Sequence, residues 1–210
     1  MVKPLQLPFD PIARAAEIWE QRFGPSATMA AVTSIMRAQQ ILLAELDAIL
    51  RPHSLTFARY EALVLLSFSR RGALPLGVIG ERLMVHPTSV TNIIGRLERQ
   101  GLVARRPNPR DGRGRLAEIT DQGRGVVERA TGDLTAAGFG MPDYDPERLR
   151  GIFTLLRGLR VAAGDFVSGD FAPGGSGPSG SGVAPEGAVP PRASTAPGSG
   201  GELLGGRTAG

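Results

Sequence analysis

The chain has 210 residues, with 24 Lys+Arg against 20 Asp+Glu and a formal net charge of +4, a length that allows one good core with extensions. The absence of cysteine excludes a disulfide framework, a thiolate zinc site and cysteine-based redox sensing within these residues. Lys3 is the only lysine, so nearly all the positive charge is arginine, whose planar donor fork suits phosphate and guanine. The opening MVKPLQLPFDP has no continuous apolar signal region. No stretch approaches the roughly 20 apolar residues of a membrane span. A soluble cytoplasmic protein with no membrane partner and no cofactor is expected.

The segment DPIARAAEIWEQRFGPS predicts an amphipathic helix carrying Trp19 within an N-terminal extension, residues 1–26. The next segment, ATMAAVTSIMRAQQILLAELDAIL, sets Met29, Val32, Met36, Leu43, Leu46 and Leu50 on one apolar stripe of a long helix that Pro52 stops. TFARYEALVLLSFS predicts a further helix, with Tyr60, Leu63, Val64 and Leu66 inward and Thr56 as its N-cap. LGVIGERLMV is a short helix with Val78, Ile79 and Leu83 inward. HPTSVTNIIGRLERQG is another, with Pro87 at its first position, Val90, Ile93 or Ile94, and Leu97 inward, and Gly101 just past its end.

LVAR and RLAEIT then read as two short strands flanking the arginine-dense RRPNPRDGRGR, residues 105–115. Two helices follow. DQGRGVVERATGDLTAAGFG is weakened by Gly123, Gly125 and Gly132. DPERLRGIFTLLRGLRVAAG has Asp145 as its cap and a stripe of Leu149, Ile152, Phe153, Leu156 and Leu159. From residue 165 to 210 the composition turns to Gly, Ser, Pro and Ala, too poor in apolar surface to offset ordering entropy, and a disordered tail is expected.

The fold class that follows is mainly α with a small β-hairpin wing: a winged helix-turn-helix at residues 53–120, flanked by helices at 27–52 and 121–164. The recognition helix of such a unit lies in the major groove. Once its inward positions are removed, Thr88, Ser89, Thr91, Asn92, Gly95, Arg96 and Arg99 remain available. Asn92 suits a bidentate contact to adenine, and Arg96 a guanine or a phosphate. Thr88 and Ser89 either touch DNA or cap the helix. His86, a poor N-cap, either contacts phosphate or is a neutral surface residue. At the wing, Arg113 and then Arg110 are the candidates for a narrow minor groove. Gly112 and Gly114 keep the tip slim, Asp111 either braces the turn or orients Arg96 or Arg113, and Arg105, Arg106 and Arg115 line the stem toward phosphates. The only histidines, His53 and His86, are far apart, and no phosphate loop or His-Glu-x-x-His is present, so no enzyme is expected. His53 is assigned to capping or packing the helix junction.

From about Ala27 to Gly164 the sequence resembles the MarR family of bacterial transcription regulators. The resemblance is carried in order by RPHSLTFARYEALVLL, by LPLGVIGERLMVHPTSVTNIIGRLERQGLV and by RRPNPRDGRGRLAEITDQG. It implies an obligate homodimer built by the first and last core helices. It also implies a ligand pocket between that part and the winged unit, and release from a palindromic operator when a small molecule binds. Gly112 stands where the family usually has a wing arginine, and Gly95 where its recognition helix commonly has Asp. The N-terminal extension resembles the family's urate-responsive branch, in which an N-terminal Trp and an acidic residue of the second helix belong to the ligand site. Trp19 and Glu61 match those places, whereas Ile94 stands where that branch usually has Arg. A small anionic phenolic or purine-like effector is the corresponding expectation, against the alternative that Trp19 staples the extra helix to the core. A ligand-independent DNA-binding or partner-binding module using the C-terminal tail is the alternative function.

Overall fold

The computed structural model describes residues 6–108 and 111–166, which include seven α-helices and three strands. The expected disordered tail beyond residue 166 lies outside the described residues. Helix α1 spans Pro11–Phe23, with Asp10 Oδ1 accepting from the Ile12 and Ala13 backbone N–H groups at 2.8 and 3.3 Å. Asp before Pro at the first helical position is a strong start signal. Helix α2, Ala27–Leu50, runs into a short 3₁₀ turn at Arg51–His53, where Pro52 is accommodated.

Helix α3 covers Phe57–Phe68. Thr56 occupies the cap position as expected, yet its side chain makes no capping bond. Asp47 of α2 supplies the cap instead, its Oδ1 accepting from Phe57 N–H at 2.7 Å. A carboxylate from another helix is a stronger partner for that N–H than a local hydroxyl, and local sequence does not reveal it.

The wing is larger than the expected hairpin. Strands β1 (Ala73–Pro75), β2 (Val103–Asn108) and β3 (Asp111–Ile119) form an antiparallel sheet in the order β1-β3-β2. The register pairs Leu74 with Ala117 and Val103 with Ile119. β1 is three residues long and ends on Pro75, so it carries no alternation by which a sequence could announce it. Gly72, at φ +67°, turns the chain into it, and Gly72 C=O accepts from Ile119 N–H at 2.8 Å.

Helices α4 (Leu76–Leu83) and α5 (Pro87–Arg99) lie between β1 and β2, and α6 (Asp121–Ala136) follows β3. Gly123, which carries glycine's intrinsic helix cost, has a packing reason to stand in α6. Its missing side chain admits the carbonyl of Leu102, which a Cβ would overlap. Thr120 fixes the junction by accepting from Gly123 N–H at 3.0 Å and donating to the Gly101 carbonyl at 2.7 Å. Helix α7, Pro146–Ala162, starts as expected at Asp145, whose Oδ1 accepts from Arg148 N–H at 2.9 Å.

The core gathers Leu50, Leu63, Leu66, Ile79, Ile94, Leu97 and Leu134, each at most 1% exposed. The described residues 157–166 group apart from the rest as a unit of their own. Within it the guanidiniums of Arg157 and Arg160 sit 5.2 and 5.5 Å from the centre of the Phe166 ring, a cation–π arrangement.

Candidate nucleic-acid interface

Helix α5 has two chemically distinct faces. Val90, Ile94 and Leu97 are 1%, 0% and 0% exposed, and their spacing of four and three keeps them on one side. This settles the open choice between the adjacent isoleucines: Ile94 is the core residue and Ile93 is only half-buried. On the other side Thr88, Thr91, Asn92, Arg96 and Arg99 are exposed, and Ser89 is half-buried. The side chains of Asn92, Arg96 and Arg99 form no hydrogen bond with other described residues, so their donors and acceptors face solvent. Thr91 is different. Its hydroxyl donates to the Pro87 carbonyl at 3.0 Å, which leaves it an acceptor, suited to a base amino group rather than to a phosphate oxygen.

The start of α5 is held in place by His86, whose Nδ1 accepts from Thr88 N–H at 3.3 Å. The ring does the work usually done by Ser or Asp, and capping falls to His86 rather than to Thr88 or Ser89. Helix α4 meets α5 through a tight turn. Met84 takes a left-handed conformation, φ 51° and ψ 42°, and Val85 N–H donates to the Gly80 carbonyl at 2.9 Å. Gly80 lets the two helices close, since a Cβ there would stand 3.1 Å from the Val85 carbonyl oxygen and 3.2 Å from a Val90 methyl. Leu76, Gly80, Met84, Val85, Pro87 and Val90 line a mostly apolar open groove of about 480 Å³ between the helices.

The wing's arginines differ in their partners. Arg115 is exposed. Arg106, expected to reach phosphate, is paired with Glu118 across the strands at 2.5 Å, and that pairing raises its pKa further. Arg105, expected likewise at the stem, turns toward α5: its Nη2 donates to the Thr91 carbonyl at 3.2 Å, and its Nε lies 3.2 Å from Glu98 Oε2. That second contact has ion-pair distance without hydrogen-bond alignment. Sequence spacing alone could not separate these two from Arg115, because the deciding partners, Glu98 and Glu118, come from another helix and another strand. Arg110 and Pro109 lie outside the described residues. Asp111, Gly112 and Arg113 belong to β3 by backbone, while their side chains, including the expected tip contact of Arg113 and brace of Asp111, also fall outside the description.

The residues considered for an effector are not joined. Trp19 stacks on Phe23 of its own helix, centroids 5.0 Å apart, and keeps 39% exposure. Glu61 is half-buried in α3, and burial raises its carboxyl pKa. Neither residue lines the groove beside α5 or the second cavity, about 420 Å³, at Asp47, Arg51, Ser54, Leu55, Thr56 and Arg59. His53 does serve the helix junction: its Nε2 lies 2.7 Å from Asp133 Oδ2 of α6, beside a second tie, 2.9 Å, between the Tyr60 hydroxyl and Thr131 Oγ1.

Two helices joined by a tight turn, the second displaying a polar face beside an arginine-bearing sheet, define a winged helix-turn-helix. A profile of the MarR family matches residues 53–114. The structure of Sco5413, a MarR family transcriptional regulator from Streptomyces coelicolor, is 66% identical, with 67% of this chain and 97% of that chain covered and a TM-score of 0.63. With that likeness across nearly the whole of a relative, the chain belongs to the MarR family of transcriptional regulators. Sco3205 from the same organism, a MarR family transcriptional regulator in complex with DNA, is 25% identical, with 68% of this chain and 89% of that chain covered and a TM-score of 0.59. MdtR of Bacillus subtilis (strain 168), an HTH-type transcriptional repressor, is 40% identical over 60 residues, 29% of this chain and 39% of its own length. The chain spans between 38% and 63% of the length of the curated relatives it matches.

Proposed function

We propose that the chain is a homodimeric, sequence-specific DNA-binding regulator, a repressor released from a palindromic operator by a small molecule. The observation that carries the DNA reading is the division of α5: one face wholly buried, the other a solvent-facing set of Thr88, Thr91, Asn92 and Arg96 beside the arginine wing. In this reading those residues and Ser89 address the major groove, while Arg110, Arg113 and Arg115 serve the wing. Phosphate contacts fix register and base-edge contacts specify sequence. Support for a repressor comes from MdtR and for DNA as the partner from Sco3205, both relatives.

Dimerisation is supported by unburied apolar surface. Val32, Ile35, Met36, Ile41 and Leu43 on α2 are 39–57% exposed, and Ile152, Phe153 and Leu155 on α7 are 37%, 40% and 76% exposed. Such surface is what an obligate partner covers. A small anionic effector, phenolic or purine-like, is proposed with Glu61 and Trp19 as its candidate contacts. Burial shifts Glu61 toward its protonated form, in which a carboxyl donates to an anion instead of repelling it. Among the described residues no helix is long and apolar enough to cross a membrane. A cytoplasmic, non-catalytic role completes the proposal.

Protection mapping of the DNA flanking the gene, paired with binding to a random duplex across salt, tests the core of this reading. Half-sites about one helical turn apart and a large affinity gap are expected; equal affinity for both duplexes overturns it. Calorimetric titration with urate and salicylate tests the effector: heat, and weakened operator binding, are expected.

A further inference from the structure

Helix α5 and strand β2 are adjacent in the chain, yet the angle between them decides whether helix and wing can reach their grooves together. Leu102 and Val103 anchor the junction by burial. Farther out, Arg105 ties β2 back to the middle of α5. Thr91, Gly95 and Glu98, spaced four and three apart, form one strip of that helix. Along it Arg105 Nη2 meets the Thr91 carbonyl at 3.2 Å and Nε meets Glu98 Oε2 at 3.2 Å. Gly95 faces Arg105 across this strip: a Cβ there would sit 3.4 Å from Nη2, in ordinary contact, and a longer side chain directed the same way would compete with the guanidinium for that space. The Arg105 side chain is only 27% exposed.

We propose that Arg105 is a positioning residue for operator recognition: it fixes the wing against the recognition helix, in a seat made by Gly95, and does not itself neutralise a phosphate. A planar guanidinium holds two partners in one fixed geometry, which an ammonium cannot do. Its charge is already balanced by Glu98, so its removal together with that of Glu98 leaves the field at the DNA face unchanged. The inference rests on the proposed DNA reading, and two readouts separate its failure from a failure of that reading.

The first needs no DNA. In the full-length protein labelled with ¹⁵N, the Arg105 Nε–H resonance is expected to exchange with water at least about tenfold more slowly than that of exposed Arg99, because the Arg105 Nε is shielded from water while the guanidinium is seated. In Gly95→Leu this difference is expected to vanish. Equal exchange at Arg105 and Arg99 in the unaltered protein overturns the brace.

The second uses the duplex that the full-length protein enriches from a randomised pool; enrichment of none defeats the DNA reading itself and leaves the first readout standing. With that duplex, Arg105→Gln/Glu98→Gln is expected to weaken specific binding by about tenfold, comparable to one mismatched base pair. Affinity for random duplex and the slope of log K against log salt are expected to stay as they were. Arg115→Ala, in contrast, lowers both affinities and reduces the slope by about one. A slope reduced by the Arg105 change in the same way makes Arg105 a phosphate contact and overturns the proposal, as does unchanged specific binding. If the double variant fails to fold, Arg105→Lys, which keeps charge and stem but loses the planar fork, is expected to weaken specific binding and to lose the affinity gap over random duplex, and unchanged specific binding overturns the proposal.

Discussion

Between Leu50 and Leu134 the chain buries leucines and isoleucines from α3, α4, α5 and α6 almost completely, whereas α1 and α7 bury no residue at all. Helix α2 belongs to both regimes. Its C-terminal end contributes Leu46 and Leu50 to the core, while Val32 and Met36 of the same apolar stripe stay 48% and 55% exposed. Both regions carry apolar stripes at helical spacing, so periodicity shows that a face is destined for cover without showing what covers it. Within the winged unit the cover is intrachain; for the upper part of α2 it is supplied, in our proposal, by a second copy.

The contrast is broken most forcefully from the inside. Leu97→Ala, at a fully buried position, is expected to cost about 2–5 kcal/mol, read by chemical denaturation of the whole chain. A cost below about 1 kcal/mol would mean that this region is not the tightly packed one. Met36→Asp probes the opposite regime. Because Met36 is 55% exposed in the single chain, the change is nearly neutral for the fold. A charge buried at a dimer interface, however, should weaken self-association by about 100-fold. Sedimentation equilibrium measures this, and an unchanged dimer would remove this face of α2 from the interface.

Sequence legibility divides along the same line. Helix order, the buried face of α5, the cap at Asp145 and the exposed set Thr88, Thr91, Asn92 and Arg96 follow from spacing and local chemistry, and these the chain displays openly. Less visible were features whose cause lies far away in sequence. Asp47 caps α3 from ten residues upstream. β1 exists only because β3 offers it an edge. The partners of Arg105 and Arg106, Glu98 and Glu118, come from α5 and from the neighbouring strand. Gly123, which composition marks as a weakness, is instead required by the Leu102 carbonyl.

Inside the well-packed region two residues run against its own logic, and they give the smaller effects. Met84 holds a left-handed backbone at φ 51° while 79% exposed. A side chain there costs roughly 1–2 kcal/mol, and little packing is lost by removing it. Met84→Gly is therefore expected to stabilise by about 1 kcal/mol after the entropy of the added glycine is deducted, seen as a higher denaturation midpoint. A lower midpoint would show that the thioether packs the groove between α4 and α5 more than its exposure implies.

Glu61 gives a smaller effect still, and one with a sign that depends on pH. Burial raises its carboxyl pKa in the folded chain, so the folded state prefers the protonated form more than the unfolded chain does. Stability from this preference is complete below the unfolded pKa and is lost as pH rises through the folded one. Glu61→Gln removes the ionisation while keeping nearly the same shape. The variant should melt at a higher temperature than the parent at neutral pH, and the gap should close on acidification as the parent's carboxyl becomes protonated. A gap constant across pH would point to packing rather than to the cost of a half-buried charge. A gap of opposite sign would mean that the ionised carboxylate has a partner which outweighs its desolvation.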